Sequence, residues 1–357
     1  MSDHRLIPEE LKSKKRVIKH KIFLGIFFGI ILFSSTLIYC LFYNEISTLL
    51  SIKRISSSPI YKIVYHGDYA LDQYLSEGAE SWEEVLHFLN KNLGRGTGQY
   101  IYGQNQCSAF FAKTPEGDYI LARNLETEQA IPGIIETNAK DGYGTIGIVN
   151  LTLGGWDENS ILSKLSVIGS PYYTLDGINE YGLAIASASV PLEPNMELAK
   201  EKITIHDLTV NRVIIDKARD VEEAISLLSN FNIKEEQTYP NHYMIADRKG
   251  NCVVIEYIGE EMKVIKMTRN YQIVTNTVLF NNNMLLEYGY DKRYASFNEA
   301  LSLCDGVITV EDALALLEKN AIPNMAQWSV VYNLSKNSMT IKFHKDQDKI
   351  YYYSMKQ

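Results

Sequence analysis

Residues 22–43, IFLGIFFGIILFSSTLIYCLFY, are twenty-two consecutive positions without a charge. At about 1.5 Å per residue, a helix of that length crosses a hydrocarbon core of about 30 Å. A secretory signal has a shorter apolar core and ends at small residues; Tyr39 and Phe42 do not suit such a cleavage site, and Tyr39 directly before Cys40 argues against lipoprotein processing. Six Lys/Arg in KSKKRVIKHK precede the run, and such flanks stay cytoplasmic. The expectation is a basic cytoplasmic tail over 1–21, one transmembrane helix over 22–43, and everything after it on the outer side of the cell membrane. Gly25 and Gly29 make a GxxxG spacing, which in one span rich in Gly and Ile is what chance supplies.

The remainder is a different kind of chain. Residues 1–21 carry +4 of a total of −8, so the rest carries −12. An acidic body argues against a nucleic-acid partner. The four cysteines, at 40, 107, 252 and 304, form no CxxC pair, and no His cluster has metal-ligand spacing. The expectation is therefore no metal and no cofactor.

Residues 44–60 read as a polar, Ser-rich juxtamembrane linker. Over 80–93 the apolar residues fall at 82, 85, 86, 88, 89 and 93, one face of a helix. The segment 44–106 is thus a linker plus helical N-terminal piece, ending in the glycine-rich GRGTGQYIYGQNQ, and 107–357 is the main domain. From Cys107 onward strands dominate: CSAFFAK and YILARNL around a TPEGD turn, then GTIGIVNLTL, YGLAIASASV, three strands in HYMIADRKGNCVVIEYIGEEMKVIKM, and YQIVTNT, QWSVVYNLSKNSMTIKFH and KIYYYSM near the end. Helices interrupt twice, at 209–231 with Asp220 as an N-cap and at 291–321 with Thr309 as another. Strand blocks separated by helix pairs indicate an α+β protein of antiparallel sheets covered by helices.

The TPEGD hairpin brings chemistry together. An antiparallel register about this turn places Cys107 opposite Glu126 or Leu125, with Arg123 nearby. Arg123 and Glu126 differ by an odd number, so both reach Cys107 only if the strand ends or bulges near Asn124. A guanidinium beside a thiol favours the thiolate. No histidine adjoins Cys107 to act as base. A cut between Gln106 and Cys107 supplies one, because the new α-amine can take the thiol proton. Composition alone favours an ordinary buried strand cysteine and an ordinary ion pair, since free Cys is among the most buried residue types.

The residues NQCSAFFAKTPEGDYILARNLE resemble the start of the mature catalytic subunit in N-terminal-nucleophile (Ntn) hydrolases of the choloylglycine hydrolase superfamily, which cleave linear amide C–N bonds. DGINEYGLAIA (176–186), HYMIADRKGNCVVIEY (242–257), IVTNT (273–277) and KRYASFNEAL (292–301) are similar to further motifs of that family, in the same order. The resemblance implies a four-layer αββα sandwich of two antiparallel sheets between helix layers. It implies Cys107 as nucleophile exposed by autoproteolysis, Arg123 supporting its charge, Asn276 as an oxyanion donor and Arg293 completing the charged network. Two positions depart from the pattern. Glu126 stands where the family has Asp, and Ser189 stands where many relatives have an oxyanion Asn. Asp176 and His242 are assigned structural roles. The implied reaction is hydrolysis of a small-molecule N-acyl amide through an S-acyl enzyme, with loops 127–143, 152–172 and 279–290 framing the acyl pocket. Acyl transfer to an amine, and a membrane-tethered binding or sensing protein with a decayed site, are the alternatives. The acyl group, the amine and the oligomeric state, a homo-oligomer included, stay open.

Overall fold

The computed structural model describes residues 9–93, 106–190, 198–235, 240–258, 261–280, 291–346 and 349–355, with side chains from residue 19 on. The chain divides into two compact units, 1–47 and 48–357. The first is built on helix α1 (Glu9–Leu41). Within it Lys19–Leu41, 23 residues of mean hydropathy 2.3 and none of them buried, is long and apolar enough to cross a membrane. Helix α2 (Tyr43–Ser51) follows.

The linker expected over 44–60 instead carries most of α2 and a short strand, and residues 53–64 enter a sheet. They form strands β1 (Lys53–Arg54) and β2 (Tyr61–Val64), and β2 runs parallel to β5 (Pro132–Asn138) inside a nine-stranded sheet. Ile60 and Ile63 are completely buried there, so burial overrides the polar composition of the surrounding segment. The same pairing corrects two expectations. The sheet is not wholly antiparallel, because β2 returns to it only after a long crossover. Residues 132–138 are a strand and not a pocket loop: Ile134 and Ile135 are fully buried in the core, while Leu162 is exposed. Helices α3 (Leu71–Glu77) and α4 (Trp82–Leu93) complete the N-terminal piece.

The nine-stranded sheet runs β1-β2-β5-β6-β7-β8-β11-β12-β13, where β6 is Gly144–Asn150, β7 Thr174–Asn179, β8 Ala184–Ser189, β11 Asn241–Ala246, β12 Cys252–Ile258 and β13 Glu261–Lys266. The second sheet is antiparallel and six-stranded. It runs β14 (Gln272–Val274), β3 (Gln106–Lys113), β4 (Tyr119–Glu126), β15 (Ala326–Asn333), β16 (Ser338–Phe343), β17 (Ile350–Ser354). Strands β9 (Ile203–His206) and β10 (Phe231–Lys234) form a separate parallel pair.

Side-chain alternation sets the layers. Cys107, Ala109, Phe111, Leu121 and Leu125 on β3 and β4 join the core shared with the nine-stranded sheet. Phe110, Ala112, Ile120 and Ala122 face the other way, onto α7 (Lys292–Leu303) and α8 (Val310–Lys319), through Phe297, Leu301, Leu314 and Leu317. Helices α5 (Val210–Lys217) and α6 (Val221–Leu228) pack on the nine-stranded sheet. Gly177 lies against Ile215 of α5, whereas its neighbour Asp176 points to the six-stranded sheet. The order is helix, sheet, sheet, helix. The caps are as expected: Asp220 accepts from Glu223 N at 3.0 Å and Thr309 from Asp312 N at 3.0 Å.

Candidate active site

The β3–β4 turn closes at Thr114–Asp118, with Gly117 at φ 97°, a conformation glycine adopts without steric cost. This turn fixes the register: Cys107 faces Leu125, Gln106 faces Glu126, and Ala109 faces Arg123. Cys107 is 2% exposed at the start of β3. Arg123 lies diagonally across on the same face, and its Nη2 donates to the Cys107 sulfur at 3.3 Å. The same guanidinium donates to the carbonyls of Leu175 at 2.9 Å and Ser187 at 3.2 Å, and pairs with the Asp176 carboxylate. Asp176 also accepts from Trp328 Nε1 and the Tyr332 hydroxyl. Burial works against the Arg123 charge, but Asp176 and the Cys107 sulfur outweigh it and hold its pKa above the ordinary arginine value.

Asn276 occupies the other side of Cys107. Its Oδ1 accepts from the Cys107 main-chain N at 3.1 Å and from Arg293 Nη2 at 2.7 Å. Its Nδ2 donates to the Ser189 carbonyl at 2.7 Å. The Ser189 hydroxyl donates to Asn241 Oδ1 at 3.4 Å. Ser189 therefore meets Asn276 through its main chain.

Glu126 sits on the opposite face of β4. The expected break near Asn124 is absent: β4 stays in register through Asn124, and the irregularity lies in β15 between Ala326 and Trp328. The odd spacing therefore carries Glu126 away from Cys107, towards the helix layer. Its oxygens take Arg293 Nη1 at 2.5 Å and Ile322 N at 2.6 Å. Burial pushes its carboxyl above the usual glutamate value, with Arg293 and the Ile322 N–H opposing. Arg293, itself capped by Asp291 at 2.7 Å, links Glu126 to Asn276, and through Asn276 to Cys107.

His242 and Glu256 do more for this site than their motif membership suggests. His242 Nε2 meets the Thr275 carbonyl at 2.8 Å and Nδ1 meets Glu256 Oε1 at 3.0 Å. The ring thus bridges the Thr275 carbonyl and the Glu256 carboxylate. Glu256 also accepts from Leu279 N at 2.8 Å and Phe280 N at 2.9 Å. Burial pushes its carboxyl up, but the His242 bond and these N–H groups outweigh that and hold it below the ordinary value. The pair thus grips the chain on both sides of Asn276. A small cavity beside Cys107 is lined by Arg123, Ser187, Asp207, Asn211 and Asn241 among others; Asp207 and Asn211 had no signal in the sequence. Among the described residues no group of three or more His, Cys, Asp or Glu has metal-binding geometry. Residues 281–290 of the third expected pocket loop lie outside the described residues.

A model of the linear amide C–N hydrolases, choloylglycine hydrolase family, matches residues 107–300, beginning at Cys107. A penicillin V acylase of Pectobacterium atrosepticum is 29% identical over 132 residues, 33% of this chain and 34% of that protein. A bile salt hydrolase/transferase of Clostridium perfringens is 25% identical over 195 residues, 49% of this chain and 54% of that protein. The chain thus spans about a third to a half of these curated relatives. Among solved structures, the penicillin V acylase of Agrobacterium tumefaciens has a TM-score of 0.49 at 14% identity, covering 70% of this chain and 86% of its own. A conjugated bile acid hydrolase of Clostridium perfringens has a TM-score of 0.48 at 17% identity, covering 70% and 92%.

Proposed function

The chain belongs to the linear amide C–N hydrolases of the choloylglycine hydrolase family, and from that premise we propose that it is a cysteine-nucleophile Ntn hydrolase of small N-acyl amides. The observation that carries the reading is the grip on one residue at both of its reactive atoms. The Cys107 sulfur has Arg123 Nη2 at 3.3 Å, and its main-chain N has Asn276 Oδ1 at 3.1 Å. A cut between Gln106 and Cys107 turns that nitrogen into an α-amine already held beside the thiol. The amine takes the thiol proton, and the thiolate attacks the amide carbon. The amine then protonates the leaving nitrogen as the tetrahedral intermediate collapses to an S-acyl enzyme. The Asn276 amide group serves the oxyanion. Glu126 acts through Arg293, which holds Asn276, so the longer side chain at this position positions a donor and does not touch the α-amine.

The apolar helix within α1 crosses the cell membrane once in this reading. The Lys/Arg-rich start stays cytoplasmic, the catalytic unit lies outside, and the substrate is met there. Intact mass of the purified full chain tests the central step. The expected result is a fragment beginning at Cys107 that gains an acyl mass from N-acyl amides, and neither event in Cys107→Ala. A chain that turns over substrate while remaining whole rules out the α-amine. A Cys107→Ala chain that retains turnover rules out the nucleophile.

A further inference from the structure

The cut between Gln106 and Cys107 proposed above puts the apolar helix and the nucleophile on different chains. Hydrolysis of that peptide bond adds one water, leaving a carboxylate on Gln106 and an amine on Cys107. Among the described residues the span long enough to cross a membrane, Lys19–Leu41, lies wholly within 1–106. What then joins 107–357 to the anchor is packing, and that packing is the interior of one fold. Ile60, Ile63, Tyr69, Tyr74 and Val85, all N-terminal to the cut, are completely buried. They share one core with Ile134, Ile135 and Tyr172 from beyond it. Aromatic rings meet across the divide: Tyr61 and Trp156 at 4.9 Å, Tyr74 and Tyr172 at 5.2 Å, Trp82 and Tyr173 at 6.2 Å. Strand β2 is an inner strand, between β1 and β5, so its departure would bare the β5 edge beside two buried isoleucines. Main-chain groups cross as well. The Tyr172 hydroxyl donates to the Tyr69 carbonyl at 2.7 Å, the Tyr65 hydroxyl to the Ile168 carbonyl at 2.9 Å, and Ala79 N to the Thr204 carbonyl at 2.9 Å. Separation would leave these groups unpaired. The ion pairs Lys62–Glu136, at 2.8 Å, and Arg54–Glu158, at 3.3 Å, are by contrast partly exposed, and such pairs contribute little.

We propose that the mature protein is a membrane-bound pair of chains, in which residues 53–93 of the 1–106 chain hold 107–357 at the membrane by strand pairing and apolar burial. Maturation therefore does not release the catalytic chain. The 1–106 chain is a permanent anchor subunit and not a discarded leader. A domain core divided between two chains is the kind of interface that permanent complexes have. The inference rests on the cut and on the single membrane crossing of the preceding section.

The test uses membranes from cells expressing the full chain. They are washed with about 1 M salt, where the screening length falls to about 3 Å, and then with rising urea. Intact masses are read in pellet and wash at each step. Salt is expected to release none of the 107–357 chain, because apolar burial is not screened. Urea weakens that burial and should release the 107–357 chain completely while the 1–106 chain stays in the pellet. Cys107→Ala remains one chain, so no urea concentration should release its catalytic unit. Ile63→Ala, within β2, should shift the release midpoint to lower urea without changing the fraction cut. Catalytic chain in the salt wash, or retention in urea equal to that of Cys107→Ala, overturns the proposal, as does an Ile63→Ala midpoint equal to the wild type. A wild-type chain that stays whole overturns the cleavage reading and the proposal with it. A 1–106 chain that washes off overturns the crossing and the anchor together. The intact mass and the location of the 1–106 chain tell both of these from a failed interface.

Discussion

Arg123→Met isolates the buried charge on which the site is built. Arg123 is 1% exposed and Asp176 0%. The substitution keeps an aliphatic stem and removes the cation. The Leu175 carbonyl retains Asn211 Nδ2, and Asp176 retains Trp328 Nε1 and the Tyr332 hydroxyl. Asp176 nevertheless becomes a buried anion without a cation. Removing one partner of such a pair costs about 3–5 kcal/mol, and the two neutral donors that remain place this case near 3 kcal/mol. Asp176→Asn alone strands the guanidinium and costs about the same. Independent effects would put the double variant near 6 kcal/mol. Because the second change removes the charge that the first left unpaired, the double variant is expected to cost less than either single variant. Guanidinium unfolding in detergent micelles measures it, with Trp328, bonded to Asp176, as the fluorescent reporter. A cost below about 1 kcal/mol for Arg123→Met, or additivity in the double variant, refutes the reasoning.

Three further outcomes are expected. The Glu126 carboxyl has a folded-state pKa above its ordinary value of 4.5, so its contribution to stability is full below that pH and declines as pH rises through the folded value; Glu126→Gln should therefore cost most near pH 4 and progressively less towards neutrality, and a cost that grows with pH in parallel unfolding curves contradicts this. His242→Gln removes one end of the clamp on the Asn276 loop and is expected to lower kcat about tenfold or more with little change in KM, since a misplaced donor weakens transition-state contacts and not substrate binding; a change confined to KM is inconsistent with a positioning role. Gly182 turns between β7 and β8 at φ 77°, and a Cβ there would lie 2.2 Å from the Leu334 carbonyl, so Gly182→Ala should destabilise by about 3 kcal/mol or more, measured as a loss of thermal midpoint at unchanged kcat in the surviving fraction.

What the sequence determined by itself was local. Twenty-two uncharged residues specify an apolar helix, because length and composition suffice. Thr114–Asp118 specify a hairpin turn, and period-two alternation then puts Cys107 and Arg123 on one face. Asp220 and Thr309 are legible as caps because a cap is a contact between residues three apart. The tertiary structure decided everything that joins distant segments. The same odd spacing that pairs Arg123 with the sulfur sends Glu126 to the helix layer, and what it meets there, Arg293 and the Ile322 N–H, is set by packing 167 and 196 residues away. Strand β2 carries too little pattern in four residues to be read, and becomes a strand only because β5 lies beside it. Asn276 was visible in its motif, but its orientation depends on His242, Glu256 and Ser189, each from a different strand. Asp207 and Asn211 bore no signal. A cavity is the space left between packed elements, and no window of sequence encodes it.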